Sequence, residues 1–174
     1  ALDALTTGVE NTGVGSGAGS ALTIGNYNVA LGYSALKTSV DGDYNTAVGY
    51  KALEDYEDGD GNGNNTAVGS ESQQNATTGE YNTSLGSRTM DTGVVTGDGN
   101  VVIGYEAGRA ITSGGANVLI GRQAGNALTT GGSNVAIGRY ALEDEDGHGR
   151  NVAVGFKALR DQNTLENIQL SLVL

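Results

Sequence analysis

Asn45-Thr46-Ala47-Val48-Gly49-Tyr50-Lys51-Ala52-Leu53 decides the fold, because its opening pattern of Asn, two short residues, an aliphatic and Gly occurs nine times. The anchoring asparagines are Asn11, Asn28, Asn45, Asn65, Asn82, Asn100, Asn117, Asn134 and Asn151. They stand 17 residues apart, apart from intervals of 20 after Asn45 and 18 after Asn82, so two loops carry insertions. A fixed period of this kind marks a stack of equivalent units rather than one irregular core. It also moves the functional expectation from catalyst towards rod, spacer or adhesive surface.

With the asparagine as position zero, position three is a branched aliphatic from Val14 to Val154. Position four is always glycine: Gly15, Gly32, Gly49, Gly69, Gly86, Gly104, Gly121, Gly138 and Gly155. The short, alternating, β-branched segment ahead of it reads as a strand. Glycine then permits positive φ or a close backbone approach. Position seven is small, mostly Ala. The rest of the unit places its large apolar residue at position eight (Leu36, Leu53, Leu142, Leu159) or position eleven (Leu22, Ile111, Leu128), which suggests a second strand or extended segment.

These features predict an all-β parallel β-solenoid of about nine 17-residue coils. Stacked at strand spacing, the coils would rise roughly 40 Å. The asparagines would form a column whose side-chain amides bond up and down the stack. Each coil offers few sizeable aliphatics, and small residues at positions two and seven suggest close approach of another surface. The expected assembly is therefore an oligomer, most simply three solenoids side by side.

Composition agrees with an ordered repeat. The chain has 30 Gly and no Pro or Trp, and its glycines keep fixed places in the unit rather than scattering as in a linker. A net charge of −11 argues against nucleic acid as a partner, since that binding depends on clustered Lys and Arg. The absence of Cys rules out disulfides and thiolate metal sites. No apolar run reaches membrane-spanning length. The chain opens at Ala1 without Met, and is expected to be processed or cut from something longer.

Asn45-Thr46-Ala47-Val48-Gly49, Asn65-Thr66-Ala67-Val68-Gly69, Asn134-Val135-Ala136-Ile137-Gly138 and Asn151-Val152-Ala153-Val154-Gly155 resemble the head repeats of YadA-like trimeric autotransporter adhesins. The longer unit through Leu53 is similar to repeats in tailed-phage fibres, especially those ending in a self-cleaving chaperone domain. The resemblance implies a left-handed parallel β-roll, trimerised, extracellular on a virion fibre or bacterial surface, and serving host attachment. The 17-residue unit is longer than the adhesin head repeat and tips the resemblance towards the phage type. No receptor-binding residue carries over.

Residues 1–159 read as the repeat domain, starting mid-coil at position seven. Residues 160–174 read as a degenerate last coil or terminal strand leading to a following domain or the next subunit. Asn167-Ile168-Gln169-Leu170-Ser171 mimics the start of a repeat, with Ser171 where glycine belongs. A strand completing the half-coil of the next subunit would make a head-to-tail filament, the competing reading.

Asp58, Asp60 and Asn62 reproduce the opening of a calcium loop, with oxygen ligands at alternate positions and Gly63 at the sixth. Its twelfth position is Gly69 rather than Glu, so a solvated acidic loop is the preferred reading and calcium the alternative. Glu143-Asp144-Glu145-Asp146 and Glu54-Asp55 should emerge on one side as charged, solvated loops. His148, the sole histidine, has no second His or Cys for zinc or nucleophilic chemistry. No catalytic residues and no firm cofactor emerge. Tyr27, Tyr44 and Tyr81 each precede an anchoring Asn, a stripe that would either pack between coils or stack on a host-surface glycan.

Overall fold

The structure, a computed structural model, describes residues 1–57, 63–160 and 170–173. Ten three-residue strands form one parallel sheet in sequence order. They are β1 (Thr12–Val14), β2 (Val29–Leu31), β3 (Thr46–Val48), β4 (Thr66–Val68), β5 (Thr83–Leu85), β6 (Val101–Ile103), β7 (Val118–Ile120), β8 (Val135–Ile137), β9 (Val152–Val154) and β10 (Leu170–Leu172). Positions one to three of each of the nine repeats lie against the same positions of the next. The described residues contain no helix. The chain is thus an all-β parallel solenoid of about nine coils.

Among the described residues each coil carries one strand, not two. After the glycine the backbone makes successive tight turns, with positive φ at position six (Ser34, Lys51, Arg88), position eight (Leu36, Leu53, Met90) and the residue before the asparagine (Tyr27, Tyr44, Tyr81). The left-handed conformation disfavours strand formation and costs a residue with a Cβ about 1–2 kcal/mol. Here it turns N–H and C=O groups along the stack. Leu36 N–H donates to the Ala52 carbonyl at 3.0 Å and Lys51 N–H to the Tyr33 carbonyl at 2.9 Å, both between neighbouring coils. The turns are therefore as firmly tied rung to rung as the strands.

The asparagine ladder extends through all nine repeats. Each Oδ1 accepts the backbone N–H of the next asparagine at 2.9–3.1 Å, from Asn11–Asn28 to Asn134–Asn151. The Nδ2 of Asn117 donates to the Gly131 carbonyl of its own coil at 3.0 Å and to Asn100 Oδ1 at 3.0 Å. One amide thus ties the strand to the closing turn and to the rung below. An aspartate or leucine of similar size could not supply both donors.

Position two, the middle of each strand, points inward and meets positions seven and eight within the wall of the same solenoid. Ala30, Ala47, Ala136 and Ala153 are buried, as are the alanines at position seven. Their small size thus lets the two walls of one coil approach, and not a second subunit as expected. Volume is exchanged across this space. Leu36, Leu53, Leu142 and Leu159 at position eight face alanine-bearing strands, whereas Gly108 and Gly125 leave room for Val102 and Leu119. A Cβ on Gly125 would lie 2.9 Å from Leu119 Cδ1. The middle coils interrupt this apolar column with hydrogen bonds, Ser72 Oγ to Ser84 Oγ at 2.6 Å and to Thr89 Oγ1 at 2.8 Å.

The ends follow the repeat, with one shift. Leu2 has the positive φ of position eight and donates its N–H to the Ala18 carbonyl at 2.9 Å, as a mid-coil start requires. At the other end Leu170, Ser171 and Leu172 pair with Val152, Ala153 and Val154, two residues out from the expected register. That shift puts small Ser171, instead of Gln169, in the inward position two. Val173 then stands where the other coils place glycine, its N–H bonded to the Val154 carbonyl.

The glycine column sets two graded outcomes. At Gly121, φ is +131° and an added Cβ would lie 2.7 Å from the Gly138 carbonyl of the next rung. Gly121→Ala is expected to lower stability by about 3 kcal/mol or more, combining a nearly glycine-only conformation with a backbone collision. Gly99 has φ +67° with open space around its Cβ, so Gly99→Ala should cost only about 1 kcal/mol. Asn117→Asp, buried and facing two oxygens, should cost about 3 kcal/mol. Urea midpoints followed by circular dichroism measure all three, and equal losses for the two glycine variants would refute the stacking argument.

Candidate functional site

Because position two is inward, positions one and three face outward, and they make the broadest feature of the surface. The first column runs Thr12, Val29, Thr46, Thr66, Thr83, Val101, Val118, Val135, Val152; the second holds only Val, Leu and Ile. Val14 is 55 %, Leu31 43 % and Leu85 48 % exposed. Neither column contains a charge in a chain of net charge −11. An uncharged, regularly ridged face of Val, Leu, Ile and Thr thus runs along the stack.

Aromatic columns flank it. Tyr27 and Tyr44 stack with centroids 4.9 Å apart and planes within 4°, and both are exposed, as is Tyr81. The expected stripe exists, but its first two rings cover each other's faces, which leaves edges for a sugar ring. On the opposite margin, at position five, Tyr33 and Tyr50 stack at 5.6 Å, and Tyr105, Arg122, Arg139 and Phe156 follow higher up.

Positions six and nine carry a network of ion pairs, some within a rung (Lys51–Glu54, Arg88–Asp91) and some between rungs (Arg88–Glu106, Arg109–Asp91). Glu54 binds Lys51 at 3.0 Å and accepts a hydrogen bond from Gln74 at 2.8 Å. Asp91 binds Arg88 at 3.0 Å and Arg109 at 3.1 Å, while Glu106 binds Arg88 at 3.3 Å. These carboxylates are mostly buried, so the pairs specify which rung stacks on which more than they add net stability. The hydrogen bond to Glu54 holds the Lys51 ammonium above its ordinary pKa, and that to Asp91 does the same for Arg88. Glu143 is paired with Arg160 at 2.8 Å. The expected solvated acidic faces are thus clamped at Glu54 and Glu143, Asp144 lies 3.8 Å from Arg160, and Asp55 and Asp146 stay exposed.

His148 is held by its own turn. Glu145 occupies the inward position eleven, where other coils place Leu22, Ile111 or Leu128, and is buried. Its Oε1 accepts the His148 backbone N–H at 2.7 Å, the Gly147 N–H at 3.2 Å, and lies 2.7 Å from His148 Nδ1. Glu145, Asp146 and His148 each offer a ligand atom within 4.8 Å of the others. The hydrogen bonds already account for Glu145 Oε1, so a turn clamp explains the geometry. Below it, a shallow groove of about 340 Å³ is lined by Gly132, Ser133, Gly149 and Arg150. The calcium-loop residues Asp58, Asp60 and Asn62 lie outside the described residues.

Sequence reasoning located the columns but missed which faced out, because a three-residue strand reverses all its side chains with a one-residue shift. The alternation Thr46-Ala47-Val48, with the smallest residue in the middle, was the available signal.

Tyr140 supplies a spectroscopic check of this surface. Arg139 Nη2 donates to the Tyr140 hydroxyl at 2.8 Å, and this bond, reinforced by the charges of Arg122 and Arg139, pulls the phenol below its ordinary pKa. An ultraviolet pH titration should show an early-ionising phenol that Arg139→Gln removes. No family model, curated protein or solved structure matches this chain.

Proposed function

We propose that the chain is a structural and adhesive fibre module, a stiff rod that holds a binding tip or its own loops away from a particle. The carrying observation is the combination of a wall bonded rung to rung on every side with an uncharged apolar outer sheet face. The first gives stiffness and resistance to proteolysis. The second supports side-by-side self-association, with the apolar columns of positions one and three packed between three copies. Nine rungs at ~4.8 Å and three-residue strands at ~3.3 Å span on the order of 400 Å², about half of what one partner contributes to a standard interface, and in a trimer the flanking aromatic columns add to it. The resemblance to adhesin and phage-fibre repeats supports a left-handed roll, a trimer, an extracellular location and host attachment. On this reading the module is not an enzyme.

A head-to-tail filament subunit is the second reading, favoured by one observation. β10, from outside the nine repeats, pairs in parallel with β9, so the stack takes on a strand that lacks the repeat motif.

Sedimentation equilibrium and negative-stain imaging test both. Discrete rods of three chains are expected, and Ile103→Lys with Ile137→Lys should give monomers of unchanged circular dichroism. A wild-type monomer at micromolar concentration would remove side-by-side association. Open-ended fibres would favour the second reading.

A further inference from the structure

The upper coils break the charge pattern of the chain. Residues 117–160 hold five Lys and Arg against four Asp and Glu, the latter all within residues 143–146, whereas the remainder holds four against sixteen. Arg122 and Arg139 occupy the same position on consecutive rungs, joined by the Tyr140 N–H bond to the Arg122 carbonyl at 3.0 Å. Lys157 follows on the next rung, its N–H bonded to the Arg139 carbonyl at 3.0 Å. The three are exposed and, among the described residues, none has a carboxylate within ion-pair distance, unlike the cations of the network below. Like charges one rung apart destabilise a stack. Twenty acidic residues were available to neutralise them, yet none stands within ion-pair distance of the three; Glu143, whose charge reaches Tyr140, pairs with Arg160 instead.

Aromatic rings are set among these cations. The Arg139 guanidinium lies 4.5 Å from the Tyr140 ring centroid, Arg122 5.7 Å from that of Tyr105, and the Lys157 ammonium 5.1 Å from that of Phe156. Tyr140 and Phe156 are tilted at 58° with centroids 6.2 Å apart, so they do not cover each other as Tyr27 and Tyr44 do. Arg139 and, at 5.9 Å, Arg160 lie over the Tyr140 ring, which holds the Arg139 fork in place, while Phe156 is exposed. Together they match a sugar with a carboxylate or sulfate: Phe156 takes the C–H surface of the pyranose and the fork takes the anion. The cations repeat at the ~4.8 Å rung spacing, along the axis of the rod.

We propose that Arg122, Arg139 and Lys157, with Tyr140 and Phe156, bind an anionic polysaccharide lying along the upper coils. The carboxylated and sulfated forms share the chemistry that the patch recognises. This inference stands independently of the rod reading, since a patch on one chain requires no assembly.

The test is isothermal titration of the full chain with polygalacturonate, dextran sulfate, neutral dextran and double-stranded DNA. Binding to either anionic polysaccharide and none to neutral dextran is expected, and the preferred polymer identifies the anion. Apparent affinity should fall on the order of 30-fold for a fourfold rise in salt, as release of about three counterions requires. Combined Arg122→Gln, Arg139→Gln and Lys157→Gln should abolish binding without lowering the urea midpoint, while Lys37→Gln, outside the patch, should bind as wild type. Tyr140→Leu with Phe156→Leu should weaken binding about 10-fold at an unchanged salt slope. Absence of binding at low salt, retention by the triple variant, or DNA bound as tightly as both polysaccharides would each overturn the proposal.

Discussion

Everything in this molecule answers to one spacing, the distance at which a backbone N–H on one rung reaches a carbonyl on the next. Once neighbouring coils are fixed at ~4.8 Å, each residue sits directly above its equivalent. A side chain directed along the axis has no room. Glycine at position four follows, because the turn there aims the Cβ site at the next carbonyl. The turns follow too: alternating left- and right-handed residues point their polar groups up and down the stack, where partners wait. The backbone cost of so many left-handed residues is offset by closing the hydrogen-bond ladder around the whole circumference.

A uniform ladder leaves one question open, namely which rung belongs next to which. Identical coils could slip by one repeat, and backbone bonding would not object. The chain answers with features that differ from rung to rung. Opposite charges meet between neighbouring coils at Arg88 and Glu106, Asp91 and Arg109, and Glu143 and Arg160. Core volume moves from position eight to position two in the sixth and seventh coils. A hydrogen-bonded patch of Ser72, Ser84 and Thr89 interrupts the apolar column in the middle. Each such feature penalises a slipped stack more than it stabilises the correct one.

The same repetition shapes the surface. Any residue type placed at an outward position becomes a column, so small sequence choices generate extended stripes: apolar at positions one and three, aromatic at the margins, cationic in the upper coils. A fold with a thin, closed core has little interior in which to build a catalytic pocket. The described groove at Gly132 and Arg150 is shallow, and recognition on such a scaffold is a matter of surface arrays.

The period, a strand after each asparagine, the asparagine column and the glycine column were legible in the sequence alone, because each depends on local residue chemistry repeated at fixed spacing. Asn needs a partner above and below, and glycine needs an absent Cβ. The facing of the strand, the absence of a second strand among the described residues, the register of β10 and the pairing of Glu54 and Glu143 were decided only in three dimensions. Inward and outward differ by one residue in a three-residue strand, and the alanines that looked like an interface line the interior. Left-handed Leu36 and Lys51 have no local signature, since only the stacked neighbours make that conformation worthwhile. The uncompensated cations at Arg122, Arg139 and Lys157 lie 17 and 18 residues apart, and only stacking brings them together.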